Sequence, residues 1–194
     1  MKKRQPRSVT HIAHINGIWK KMIDIKEHIR TVSGFPIPGI EFRDITSLLE
    51  DPSAFADVMM SLSSCINPWN PTRLVGIESR GFIFGAPLAW DCNIPFILAR
   101  KPGKLPNDTF KKEYTLEYGK ATIEIQKNTA MDKTDRIVIV DDLIATGGTA
   151  LACANLIHES FSVPKENILI VAVIDLPDLK GSELIREHGY KVNT

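Results

Sequence analysis

Cysteine is scarce in this chain. Cys65, Cys92 and Cys153 are widely spaced, odd in number and never paired as CxxC, which excludes a disulfide framework and a cysteine-built zinc site. A reducing compartment, the cytoplasm, is expected. An excess of charge of one sign is also missing. With 24 basic and 23 acidic residues the net charge is +1, so no strong field for a polyanion follows and nucleic acid is not an expected partner. Long apolar runs are absent too: the basic stretch MKKRQPRSVTHIAHI has no continuous hydrophobic region, and no segment approaches the length of a membrane span. No membrane partner is expected either. Internal repeats and low-complexity tracts are lacking, which removes solenoids and biased linkers from consideration.

What remains is a chain of 194 residues, long enough to bury a sizeable core and read as a single domain over residues 1–194. Residues 1–16 are expected to be a disordered extension, and no role follows for them. Ile18, Met22, Ile25 and Ile29 recur at helical spacing with Lys20, Lys21 and Lys26 between them, so an amphipathic helix is expected over 17–31. Asp51 as N-cap and Pro52 at the first helical position open a second helix, with the stripe Phe55, Val58, Met59, Leu62 and Ile66 as core. Strands are expected at 74–77, 94–98, 137–140 and 168–174, and helices at 82–91 and 150–160. That order predicts an α/β fold with a mainly parallel sheet flanked by helices, its core over 73–176. The alternating region 114–126 reads as an antiparallel pair at the sheet edge, turning near Tyr118 and Gly119.

The densest signal is IVIVDDLIATGGT, Ile137 to Thr149. Ile137, Val138, Ile139 and Val140 show no polar alternation, as in a strand covered on both faces, and ligands collect at the carboxyl ends of parallel strands. Asp141 and Asp142 come next, and Ala145, Thr146, Gly147, Gly148 and Thr149 then lead into the helical run. Consecutive amides in a glycine-containing loop at a helix N-terminus cradle an anion, with the threonine hydroxyls as further donors. The neighbouring carboxylates would repel a bare phosphate unless they meet hydroxyls or a metal, and as acceptors they suit a ribose diol. Ribose 5-phosphate fits this combination better than the triphosphate end of a nucleotide does, and the ATP-binding pattern GxxxxGK[ST] is absent.

VIVDDLIATGGT resembles the phosphoribosyl-diphosphate motif of the type I phosphoribosyltransferases. The resemblance implies that Asp141 and Asp142 bind the ribose hydroxyls and that Ala145 to Thr149 bind the 5-phosphate. Three further segments carry it. GIESRGFIFG resembles the pyrophosphate loop of the adenine phosphoribosyltransferases, with Ser79 and Arg80 facing the diphosphate and a cis bond expected between Glu78 and Ser79; a forked guanidinium suits phosphate oxygens. RKPGKLP followed by EYTLEYGKATIEIQ resembles the flexible catalytic loop region, in which Lys101 and Lys104 would close over the diphosphate and exclude water from the ribosyl centre. This segment is read as a long loop running from Arg100 to Glu113. By the same resemblance Glu117 is the acid/base at the purine edge, with Tyr118 beside it. FPIPGIEFRD resembles the small N-terminal hood, placed within 17–47, where the aromatic ring of Phe42 stacks on the base.

Together these imply transfer of a phosphoribosyl group from 5-phosphoribosyl 1-diphosphate to adenine, giving AMP and diphosphate, with Mg2+ accompanying the diphosphate and a homodimeric assembly. Glu117 and Arg80 would be the catalytic residues. Enzymes acting on 6-oxopurines carry an aspartate base where this chain has Ala145, and alanine takes no proton. Two alternatives stand beside this reading: a phosphoribosyltransferase for another base, and a non-catalytic regulator that binds phosphoribosyl diphosphate. The resemblance is weaker before Gly34 and after Lys180, and relatives often continue through another apolar strand where this sequence reaches Tyr190 to Thr194.

Overall fold

A computed structural model describes residues 12–15, 18–21, 23–116 and 119–194, which fall into two compact units, 1–60 and 61–194. In the first, β1 (Ile12–Ile15) pairs antiparallel with β2 (Ile18–Lys21). A single 3-10 turn follows at Ile25–His28, then β3 (Arg30–Ser33) pairs with β4 (Glu41–Asp44) as a second antiparallel hairpin. The helix expected over 17–31 is therefore not formed. Its apolar spacing was helical, but Ile18, Ile23, Ile25, Ile29, Thr31 and Val32 are β-branched, which disfavours helix and favours strand. The Asp24 carboxylate also accepts from the Lys26 amide at 3.1 Å, closing a local turn that competes with a continuous helix. Beyond the hairpin, the Asp44 carboxylate receives the Thr46 amide at 2.9 Å and opens α1 (Thr46–Leu49).

The next helix, α2 (Pro52–Ile66), starts where the capping signal placed it: the Asp51 carboxylate accepts from the amides of Ser53 and Ala54 at 2.9 and 3.1 Å. Of its stripe, Val58, Leu62 and Ile66 are buried and Phe55 and Met59 half-buried. Asp57 is fully buried on the same helix and accepts from the Ile23 amide at 3.0 Å.

The second unit is a three-layer α/β body. In chain order it contains β5 (Arg73–Ile77), α3 (Gly81–Asp91), β6 (Phe96–Ala99), β7 (Thr109–Leu116), β8 (Gly119–Gln126), β9 (Ile137–Ile144), α4 (Gly148–Phe161), β10 (Ile168–Asp175), α5 (Gly181–Glu187) and β11 (Lys191–Asn193). Five strands form one sheet in the order β11-β10-β9-β5-β6, and every neighbouring pair is parallel. The chain leaves β5 outward to β6 and returns to β9 on the other flank of β5. Ligands gather outside the carboxyl ends of strands at such a reversal.

Both faces of β9 are covered, which is why its sequence does not alternate. Ile137 and Ile139 join the cluster made with Ala154, Leu156 and Ile157 of α4 and Ile123 and Ile125 of β8. The opposite face receives α3, where Phe96 fills the space left by Gly76 and Gly85. Ile137 to Val140 are all fully buried, each contributing about 1.5–3 kcal/mol.

Several boundaries differ from expectation, and three of them bear on the site. β9 continues to Ile144, because Asp141, Leu143 and Ile144 still pair with Ala172, Ile174 and Asp175 of β10. β6 starts at Phe96 rather than Ile94, since Asn93 takes a positive φ and Pro95 has no amide to give a ladder. β7 starts at Thr109, and with β8 it forms a separate two-stranded sheet joined to the end of β6 by the Arg100–Glu124 bridge. The long loop read from Arg100 to Glu113 is shortened accordingly to 101–108.

Candidate active site

Continuation of β9 through the two acids puts them on a ladder rather than in a loop. Successive side chains on a strand point to opposite faces, so Asp141 and Asp142 diverge. The Asp142 amide donates to the Asp141 carboxylate at 2.9 Å, and the Asp142 side chain is only 4% exposed, with the Nε of Arg80 2.8 Å from its Oδ2 in an ion pair. Burial, and then the charge of Asp142, push the Asp141 carboxyl well above the usual carboxylate range. Beneath it, burial raises the thiol of Cys153, which stays protonated and inert.

Arg80 reaches Asp142 because the loop after β5 lies directly on the end of β9. A Cβ placed on Gly81 would come 2.4 Å from the Val140 carbonyl oxygen, so only glycine permits that approach. The Glu78–Ser79 bond in this loop is cis, as expected. Glu78 turns away from the acids. Its carboxylate accepts from Arg100 at 2.7 Å and from the Lys101 amide at 2.9 Å, and the Arg100 hydrogen bond is the main reason its carboxyl lies below the usual range.

On the other side of the acids the loop Ala145 to Gly147 leads into α4. Gly147 adopts φ +80° and no side chain caps the helix. The first amides of α4 therefore keep their hydrogen-bonding capacity for an anion, which the helix dipole also favours. Thr146 and Thr149 are half-buried beside them. β7 flanks this loop: a Cβ on Gly148 would stand 3.3 Å from the Thr115 carbonyl oxygen and 3.8 Å from the Tyr114 ring.

Residues 101–108 carry Lys101 and Lys104, both exposed. Their loop is rooted by polar contacts that sequence reading did not single out. Arg100 donates to the Lys104 carbonyl at 2.9 Å, the Gly103 amide to buried Glu124 at 3.3 Å, and Gln126 to the Pro106 carbonyl at 2.7 Å. The Glu124 carboxyl is held below its usual range, chiefly by Lys111, whose Nζ lies 2.8 Å away. A glutamate at an inward position of an alternating strand was the available signal.

One parallel edge thus brings together Ser79, Arg80, Asp141, Asp142 and Ala145 to Thr149, with the root of the Lys101 loop tied to Glu78. Glu117 and Tyr118 lie outside the described residues, as do 1–11 and 16 of the N-terminal extension; β7 and β8 end and begin on either side of 117–118. Phe42 belongs to the first unit, on β4 opposite Val32, with its ring edge-to-face against Phe35 at 5.0 Å between centroids. No group of three His, Cys, Asp or Glu among the described residues could hold a metal ion.

The family described as "Phosphoribosyl transferase domain" matches residues 44–182. The chain belongs to this phosphoribosyltransferase family. An adenine phosphoribosyltransferase of Nitrosospira multiformis is 46% identical over 170 residues, 88% of this chain and 95% of that one. Solved structures agree. The enzyme of Giardia lamblia complexed with 9-deazaadenine superimposes with a TM-score of 0.82 at 36% identity, covering 87% of this chain and 93% of that one. That of Saccharomyces cerevisiae, complexed with an imino-altritol bisphosphate and adenine, gives 0.76 at 32% identity, with 88% and 96% covered. The parallel sheet with flanking helices is the type I phosphoribosyltransferase fold.

Proposed function

We propose that this phosphoribosyltransferase moves the 5-phosphoribosyl group from 5-phosphoribosyl 1-diphosphate to adenine, giving AMP and diphosphate in purine salvage. The observation that carries the reading is the joining, at one sheet edge, of an uncapped helix N-terminus, two carboxylates and a guanidinium. A phosphate, a diol and a diphosphate are the groups those elements complement. The base follows from Ala145, which leaves the phosphate loop without a proton acceptor, and from the names of the relatives, which act on adenine.

In the proposed chemistry a purine nitrogen attacks the anomeric carbon as its bond to the diphosphate oxygen breaks, and that bonding pair leaves with the diphosphate. The nitrogen's proton passes to the Glu117 carboxylate. Arg80 shares the charge developing on the leaving group, Ser79 adds a hydroxyl donor, and Lys101 and Lys104 close over it. Asp141 and Asp142 accept from the ribose hydroxyls while Ala145 to Thr149 hold the 5-phosphate. Tyr118 flanks the base.

Mg2+ belongs to the proposal through the substrate. With no three-residue ligand cluster among the described residues, the donor set fits an ion that takes most of its ligands from phosphate oxygens and water, with at most the paired acids contributing. Bound to the diphosphate, it would spread the leaving group's charge. A cytoplasmic homodimer, with residues 1–194 acting as one transferase domain, completes the reading; three free thiols suit a reducing compartment, and among the described residues no helix is long and apolar enough to cross a membrane.

The deciding experiment is a base-selectivity assay with excess phosphoribosyl diphosphate and Mg2+. Adenine should be converted to AMP with hypoxanthine a poor substrate. Equal catalytic efficiency on both bases would overturn the Ala145 argument, and binding of phosphoribosyl diphosphate without turnover would support a regulator.

A further inference from the structure

The turn before α5 makes backbone contact with the phosphate loop. After β10 the chain runs through a 3-10 turn at Pro177–Leu179, and Lys180 takes φ +55° as the N-cap of α5. Gly181 then meets the phosphate loop without a side chain between them. A Cβ on Gly181 would lie 2.2 Å from the Ala145 carbonyl oxygen, 2.6 Å from the Gly147 nitrogen and 2.8 Å from Cγ2 of Ile144. The contact is mutual, since a Cβ on Gly147 would lie 2.6 Å from the Gly181 carbonyl oxygen and 3.0 Å from its Cα. The Leu176 amide donates to the Ile144 carbonyl at 3.0 Å, pinning the entrance of the turn to the end of β9. Ser182, buried at 4% exposure, donates to the Asp175 carboxylate at 3.0 Å and closes the turn on itself.

Backbone atoms cannot swing aside as a side-chain tip can. Any substituent on Gly181 must therefore displace the segment Ala145 to Gly147, whose amides form the phosphate cradle, or displace α5 instead. We propose that Gly181 is a positioning residue for the 5-phosphate: the space left by its missing side chain sets the depth at which the phosphate loop sits. The inference rests on the phosphoribosyl reading of that loop. It adds a turn outside the recognised motif, from the following strand-helix connection, as the rear wall of the cradle. Gly181 touches no substrate in this scheme and acts only through Ala145 and Gly147.

The test compares Gly181→Ala with Ser182→Ala, which loosens the same turn without touching the loop. For Gly181→Ala the KM for phosphoribosyl diphosphate and the Kd for ribose 5-phosphate should rise about tenfold or more, while the KM for adenine and kcat at saturating diphosphate change less than about threefold. Ser182→Ala should lower Tm and leave both affinities near wild type. Unchanged ribose 5-phosphate affinity in folded Gly181→Ala would sink the proposal, as would equal losses on both substrates in the two variants. Hydrogen exchange on the wild type guards against a variant that fails to fold: ribose 5-phosphate should slow the amides of Gly147, Gly148 and of 180–182 together, and protection of the loop alone would also overturn it. Wild-type turnover of adenine reports on the proposed function separately, because the ribose 5-phosphate measurements need no base.

Discussion

Where β9 meets α4, position is set by backbone and apolar burial: Ile137 to Val140 are fully buried, Gly81 touches the Val140 carbonyl, and Gly147 and Gly181 interlock. Between β6 and β7, position is set by charge. Arg100 spans Glu78 and the Lys104 carbonyl, Glu124 holds Gly103 and Lys111, and the lysines themselves are exposed. Packed backbone has one low-energy arrangement and tolerates little displacement. Ion pairs with one partner open to solvent, as Lys111 is in its pair with Glu124, yield to water and salt more readily than packed backbone does. On the proposed function the first region would serve fixed recognition of ribose phosphate and the second closing and opening over a leaving group, so substitutions in the two should separate affinity from turnover.

The strongest attempt to break that separation is Glu117→Gln. It should lower kcat by roughly 10²–10⁴-fold, the usual span for a general acid-base group, while the Kd for phosphoribosyl diphosphate stays within about twofold; near-normal turnover in steady-state assays would remove Glu117 from proton transfer. Next comes Asp142→Asn, which weakens the diol contact and releases Arg80, and is expected to raise the KM for phosphoribosyl diphosphate by about 10–100-fold, or about 1.4–2.7 kcal/mol. Unchanged KM and kcat would count against the clamp. Lys101→Ala and Lys104→Ala should each reduce kcat/KM several-fold, and the deficit should shrink as salt is raised from 0.05 to 0.5 M, because screening at the exposed loop already weakens the wild type. A deficit independent of salt would place these lysines in a drier setting.

Asp141→Asn should act on stability and function in opposite directions. With its carboxyl raised by burial and by Asp142, Asp141 stabilises the fold fully below the ordinary aspartate range, and that stability is lost as pH rises through the raised value. The Asn variant should therefore gain Tm relative to wild type, by a few degrees and more at pH 8 than at pH 4, while binding ribose 5-phosphate less well. A Tm difference flat across pH would show that Asp141 titrates normally. The smallest effect belongs to Lys120→Ala: its pair with Glu113 is exposed on both sides, so Tm and kcat should be indistinguishable from wild type.

The parallel core was legible because its residues have one dominant role. Unbroken burial of Ile137 to Val140 and Ile168 to Val171 left an unbroken apolar pattern, and Asp51-Pro52 is a capping signal that local chemistry alone enforces. The pattern over 17–31 is ambiguous because the same isoleucines satisfy a helical stripe and a strand preference, and a short isolated segment is decided by its partners. The extension of β9 past Asp141 was hidden for a related reason: ladder pairing with β10 does not require apolar side chains. Within the site, Arg80, the acids and the phosphate loop could be grouped from motifs. The Arg80–Asp142 pair, the Glu78–Arg100 link and the contact of Gly181 with Ala145 could not, since each joins positions distant in sequence and a glycine shows no sign of what it makes room for.

The Arg80–Asp142 pair gives the resting site a kind of two-key lock. While the two are joined, neither the guanidinium nor the acid offers its full charge to a visitor. On the proposed reading, free diphosphate could draw Arg80 away only by stranding the acid, and free ribose phosphate could occupy Asp142 only by stranding the arginine. Phosphoribosyl diphosphate brings both replacements in one molecule, so on that reading the intact substrate opens the pair at less expense than either fragment, and each fragment alone binds more weakly.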